Sequence, residues 1–265
     1  MKLSDKVVFI TEADSPLGQS IIKRLATEGA AFVLNSVTEG EKIKDIIDNL
    51  NSLSIKNIII NSKLCSSKEL DCIVTKIETE LGKIDILIHN SNEVKLCKIE
   101  DCSEELYNHL ININVKSAFI STKTIGKHMI KSKYGKVIYV SSIHDEKPTG
   151  CSFAYSAAKG ALKMLSREAA LELGEYGINV NLIEVGALQG DNDKFKDTSS
   201  FIYEDFLNNI PGKAYVVNED ISDLVLFLAS NDCRHMNGTD IRVDGGFILH
   251  YLEKLHQEDL LGVQS

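Results

Sequence analysis

Short continuous apolar runs alternate with stretches of helical periodicity along most of the chain. Runs at Lys6–Thr11, Phe32–Leu34, Asn57–Ile60, Ile84–Ile88, Lys136–Val140, Ile178–Ile183 and Asp240–Val243 read as strands. Their apolar residues are consecutive rather than alternating, the pattern of strands buried on both faces. Between them, Pro16–Glu28 places Leu17, Ile21, Ile22 and Leu25 on one helical face, and Glu41–Leu50 does the same with Ile43, Ile46 and Ile47. Further helices are predicted over Ser66–Leu81, over Ser103–Lys131 with a bend, over Phe153–Tyr176 closed by Gly177, and over Asp220–Ser230. A dozen or more residues separate successive strands, so the connections are right-handed βαβ crossovers. The expected fold is α/β: one domain over residues 1–265, a doubly wound parallel sheet of about seven strands with helices on both faces. Residues 187–212 lack clear periodicity and read as a lid segment, and residues 250–265 as an amphipathic tail.

Composition narrows the function. Hydrophobic residues make up 43% of the chain and charged residues 25%, which excludes wholesale disorder. No apolar run reaches the ~18 residues of a membrane span. The polar start Met1–Lys6 lacks secretory signal architecture. A net charge of −9 speaks against a nucleic-acid partner. Six cysteines and seven histidines are dispersed without metal-ligand spacing, so reduced thiols in a cytoplasmic protein are expected, with no metal site. Proline is scarce, at three positions: Pro16, Pro148 and Pro211.

In an open parallel sheet, ligands bind beyond the carboxyl ends of the strands, where strand order reverses. The loops concerned are Thr11–Gly18, His89–Glu93, Ser141–Gly150 and Glu184–Gly190. A Tyr155-x-x-x-Lys159 spacing means little alone, being one face of a helix. Its company is more informative. Ser142 ends the fifth strand, and Asn114 sits inside a predicted helix, an awkward place for asparagine. The distal motifs Leu228–Asp232 (LASND), Asn237-Gly238 and Val243–Gly246 (VDGG) follow in order. Together these resemble the short-chain dehydrogenase/reductase family over about Leu3–Gly246, with its Rossmann-type fold.

The resemblance implies an oxidoreductase passing a hydride between NAD(P)(H) and a carbonyl or secondary alcohol. Tyr155 is then the general acid/base, Lys159 lowers its pKa and holds the nicotinamide ribose, and Ser142 stabilises the substrate oxygen. Asn114 anchors a proton-relaying water. Thr11, Ser15, Leu17, Gly18, Ser36, Asn90, Gly186 and Leu188 join Tyr155 and Lys159 around the cofactor. Family members assemble as homodimers or homotetramers through the two long helices.

Several positions depart from the family pattern. The glycine-rich T-G-x-x-x-G-x-G becomes Thr11–Gly18 (TEADSPLG), retaining only its last glycine and gaining Glu12 and Asp14 beside an anion site. Ser15-Pro16 is nevertheless a good helix start, leaving the Leu17 and Gly18 amides for a phosphate. N-A-G becomes Asn90–Asn92 (NSN), an acidic position aligns with Lys63, and P-G becomes Val185-Gly186. Asn35–Val37 offers neither a carboxylate for the ribose of NAD nor an arginine for a 2′-phosphate, which tilts the cofactor expectation toward NADP(H) over NAD(H). These departures also motivate a second reading, a non-catalytic or cofactor-impaired binding or scaffold protein on the same fold.

Overall fold

A computed structural model describes residues 1–148, 150–189 and 207–249. The predicted lid residues 190–206, with Gly190, Phe195, Phe201 and Ile202, and the tail 250–265 lie outside the described residues. Seven parallel strands, β1 (Val7–Ile10), β2 (Ala31–Asn35), β3 (Asn57–Ile60), β4 (Ile84–His89), β5 (Gly135–Ser142), β6 (Ile178–Val185) and β7 (Asp240–Val243), form one sheet in the order β3-β2-β1-β4-β5-β6-β7. Helices α1 (Pro16–Ala26), α2 (Lys44–Ser52), α3 (Ser67–Glu80), α4 (Glu104–Ile111), α5 (Ser117–Ser132), α6 (Phe153–Gly174) and α7 (Asn218–Ala229) connect them. The expected doubly wound sheet is present.

Successive strand residues point to opposite faces, and the apolar runs supply both. On β1, Val8 and Ile10 join one core with Ile21, Ile22 and Leu25 of α1 and Val225 and Leu228 of α7. Val7 and Phe9 join the other, with Val74 of α3, Ile125 and Met129 of α5, and Leu162 of α6. Each fully buried aliphatic side chain contributes roughly 1.5–3 kcal/mol, so register is strongly held. A one-residue slip would exchange the faces. Strand order reverses between β2-β1 and β4-β5, and at that point the Thr11 amide donates to the Ile88 carbonyl at 3.1 Å. The chain leaves β1 toward one face of the sheet and leaves β4 toward the other, the arrangement that places a ligand crevice at the carboxyl edge of such sheets.

The predicted long helix Ser103–Lys131 is interrupted. Asn112–Lys116 is a π-helical turn between α4 and α5. Such turns insert one residue into an α-helix and gather at functional sites. Asn114, fully buried, lies within it.

Candidate active site

The loop after β1 keeps the shape of a glycine-rich turn with one glycine. Glu12 sits at φ +47°, the left-handed region that glycine adopts freely and other residues at a cost of roughly 1–2 kcal/mol. Ser15 then caps α1: its Oγ accepts from the Gly18 amide at 3.0 Å and donates to the Glu12 carbonyl at 2.9 Å. Pro16 occupies the first helical turn, where its missing N–H is no loss. The Leu17 amide, in that same turn, has no intrahelical carbonyl within reach and is left for an anion. Gly18 is required sterically. A Cβ there would lie 2.4 Å from the Glu12 carbonyl oxygen. Gly18→Ala is expected to destabilise the fold by about 2 kcal/mol, read as a lowered urea midpoint; an unchanged midpoint would contradict this packing.

Thr11 and Asn90 knit this loop to the end of β4. The Asn90 amide donates to Thr11 Oγ1 at 2.8 Å, and Asn90 Nδ2 donates to Ser15 Oγ at 2.9 Å. Ser91 Oγ also donates to Thr11 Oγ1, at 3.2 Å.

Tyr155 and Lys159 stand one turn apart on α6, both buried, with the Lys159 ammonium 5.3 Å from the Tyr155 ring centroid. Lys159 Nζ donates to the Ser91 carbonyl at 3.3 Å, which uses one of its three N–H donors. Burial lowers the Lys159 pKa to about 8, while the carboxylates of Glu12 and Asp145 pull the other way. Asn114 Nδ2 donates to the carbonyls of Glu93 and Leu110, each at 3.0 Å. Leu110 lies four residues back, so the side chain takes a carbonyl that a regular α-helix would give to a backbone amide. Asn114 Oδ1 is buried without a partner among the described residues. Ser142, ending β5, accepts from the His144 amide at 3.4 Å, and the His144 ring meets Tyr155 edge-on at 5.2 Å between centroids. Burial, then the charge of Lys159, holds His144 below its usual pKa. The predicted catalytic residues thus come from three elements converging at the sheet's carboxyl edge.

Two positions that depart from the family pattern join this cluster. The Asn92 amide donates to Glu12 Oε2 at 3.3 Å, and the Tyr155 hydroxyl donates to Asn92 Oδ1 at 2.6 Å. Glu12, Asn92 and Tyr155 therefore form one chain, with Glu12 also a countercharge for Lys159. Asn92 is a site residue that motif matching passes over, because glycine stands there in the family; the polar substitution was the available signal.

Other predicted cofactor residues are placed differently. Ser36 is buried, and its Oγ donates to Asp14 Oδ1 at 2.8 Å. Gly186 packs on the VDGG turn, where a Cβ would lie 2.7 Å from the Asp244 Cα. The Leu188 side chain is buried in the core beside Val185 and Val216, so no side-chain contact brings it to the cluster. Behind α6, carboxylate oxygens of Asp145, Glu146 and Glu184 converge within 4.8 Å. Lys163 spans them, donating to Glu184 at 2.6 Å and Glu146 at 2.7 Å. Burial, then the neighbouring Glu184 charge, raises the Asp145 pKa to about 6.

The donor set fits a dinucleotide in outline. The α1 start offers the Leu17 amide to an anion; the Gly18 amide, also expected there, is instead taken by Ser15 Oγ, and Lys159 has donors left for ribose hydroxyls. Glu12 opposes the same anion by its charge.

This combination of doubly wound sheet, helix start at the switch point and Tyr-Lys pair defines a nucleotide-linked oxidoreductase class. Comparison with known proteins makes the assignment specific. The family described as enoyl-(acyl carrier protein) reductase matches residues 12–248. The chain is 31% identical over 244 residues, 92% of each chain, to a 2-dehydro-3-deoxy-D-gluconate 5-dehydrogenase of Formosa agariphila. It is 30% identical over 251 residues to the 3-oxoacyl-(acyl-carrier-protein) reductase FabG of Buchnera aphidicola subsp. Baizongia pistaciae, covering 94% of this chain and 100% of that one. The crystal structure of levodione reductase superposes with a TM-score of 0.87 at 27% identity, covering 94% of this chain and 100% of that one. The chain belongs to the short-chain dehydrogenase/reductase family and is an oxidoreductase of that family.

Proposed function

We propose that this enzyme, one Rossmann-type unit over its length, exchanges a hydride with a carbonyl or secondary alcohol, and that Tyr155 is its general acid/base. The observation that carries the reading is the buried Tyr155–Lys159 pair, with the ammonium 5.3 Å from the phenol ring. A phenol with a pKa of about 10 is a poor base at neutrality. A cation one helical turn away favours its phenolate, bringing it toward the range useful for proton transfer. In reduction, Tyr155 Oη gives its proton to the substrate oxygen while Ser142 Oγ donates a hydrogen bond to the same oxygen. Lys159 Nζ stabilises the phenolate, and Asn114 Oδ1 is the acceptor for a water that returns a proton toward Lys159. Asn92 Oδ1 must release the Tyr155 hydroxyl before substrate takes it. Bound NAD(P)(H) supplies the hydride chemistry; Thr11, Ser15, Leu17, Gly18, Ser36, Asn90, Lys159, Gly186 and Leu188 are the residues proposed to hold it.

The activities of the relatives point to a small polar ketone or a 3-oxoacyl thioester as the substrate class. The test is absorbance at 340 nm against a panel of sugar-acid ketones, polyols, diketones and 3-oxoacyl thioesters. Turnover with at least one, falling as pH rises above about 8 when Lys159 loses its charge, supports the reading. No turnover together with no dinucleotide binding at millimolar concentration contradicts it. The scaffold reading gains no support from the relatives, which are dehydrogenases and reductases. Glu12 and Asn92 bear on how tightly cofactor is held.

A cytoplasmic setting is proposed from six cysteines dispersed along the sequence, and no helix among the described residues is long and apolar enough to cross a membrane. A homodimer or homotetramer is proposed from the exposed Phe119 on α5 and Phe153, Met164 and Leu171 on α6. Sedimentation is expected to report two or four subunits, and a monomer at all concentrations would overturn that assembly.

A further inference from the structure

The end of β2 carries no acidic residue of its own, yet the fold brings a carboxylate to it. Asp14, from the loop after β1, accepts at Oδ1 from Ser36 Oγ (2.8 Å) and Thr38 Oγ1 (3.1 Å), and at Oδ2 from the Thr38 amide (3.2 Å). Ser36 Oγ in turn accepts from the Gly40 amide at 2.6 Å. The turn Ser36–Gly40 is therefore built around the Asp14 carboxylate. In dinucleotide-binding sheets, an acidic residue at this end of β2 accepts a hydrogen bond from the adenosine ribose 2′-hydroxyl. A carboxylate has about four acceptor positions. Ser36 and Thr38 fill three, which leaves one on Oδ2, and Asp14 is partly exposed.

We infer that Asp14 is a specificity-determining residue that selects NAD(H) over NADP(H), supplying from the first loop the carboxylate that β2 lacks. The inference rests on the proposed dinucleotide-dependent function. It reverses the expectation of NADP(H) drawn from Asn35–Val37 alone, because a carboxylate reaches the end of β2 from the loop after β1. A ribose hydroxyl can donate to Asp14, whereas a 2′-phosphate has no proton to give at neutral pH and meets like charge. Glu39, exposed in the same turn, adds negative charge. Lys42 follows it, and its amide donates to Thr38 Oγ1 at 3.3 Å.

The test is fluorescence titration of the full chain with NADH and NADPH, for wild type, Asp14→Ser and Asp14→Asn, with thermal melts confirming that each variant folds. Asn keeps the shape of the side chain while removing its charge, so it reports even if Ser loosens the turn. Wild type is expected to bind NADH at least tenfold more tightly than NADPH, and the ratio is expected to fall at least tenfold in Asp14→Asn. Tighter NADPH binding by wild type, or an unchanged ratio in a folded variant, overturns this inference and leaves the oxidoreductase reading intact. No binding of either dinucleotide overturns both.

Discussion

Tyr155→Phe is expected to lower kcat by about 10²–10⁴-fold, the usual contribution of a positioned acid/base, with little change in dinucleotide affinity. The substitution removes one hydroxyl and leaves the ring, so the edge-on contact with His144 and the packing under Lys159 persist. What changes is the proton. Without Oη no group at that position gives one to the substrate oxygen. Ser142 can donate a hydrogen bond, but an aliphatic hydroxyl is too weak an acid to give up its proton near neutrality. The structural cost includes Asn92 Oδ1, which loses its donor, at roughly 1–3 kcal/mol if it stays buried. A melting temperature that drops modestly alongside a collapsed kcat separates chemistry from folding. An unaffected rate would remove Tyr155 from the mechanism.

Glu12→Gly is expected to tighten dinucleotide binding by about 10- to 100-fold. Like charges about 4–8 Å apart at an effective dielectric near 20 repel by roughly 2–4 kcal/mol, and salt and exposure reduce that. Glycine also adopts the φ of +47° without penalty, so the turn should survive the change. A second readout distinguishes charge from shape. Glu12 raises the Lys159 pKa against the lowering by burial, so its removal lets that pKa fall below about 8. The decline of kcat/KM on the alkaline side should then begin at lower pH in Glu12→Gly and Glu12→Gln alike. Unchanged affinity and an unmoved pH profile in both variants would show that the carboxylate does not act on the cofactor or on Lys159.

The fold was legible because its signals are local and repeated: the apolar runs at Val7–Ile10 and Val137–Val140 name strands buried on both sides, and Ser15-Pro16 names the start of α1. The candidate catalytic group was marked out in the sequence by spacing and company. Asn114 was flagged as misplaced in a helix, and the π-turn explains how the helix accommodates it. The contacts that modify the site were not legible, for each spans a large sequence separation. Asp14 reaching Ser36 and Thr38, Glu12 meeting the Asn92 amide, and Asn92 meeting Tyr155 depend on loops from three strands ending together. From sequence, Glu12 and Asp14 are charges in the wrong place; in the fold one faces Lys159 and the other organises the turn after β2. Leu188 is proposed for the cofactor through its place in the loop after β6, while its side chain lies in the core.

The central claim is that the rewritten first loop still holds a dinucleotide against the Tyr155–Lys159 pair. A crystal grown with saturating NADH tests it most directly. Density is expected for the pyrophosphate at the start of α1, with ribose hydroxyls on Lys159 Nζ and Tyr155 released from Asn92. A structure in which NADH is absent from that crevice, with Glu12, Asn92 and Tyr155 still bonded in sequence, would contradict it.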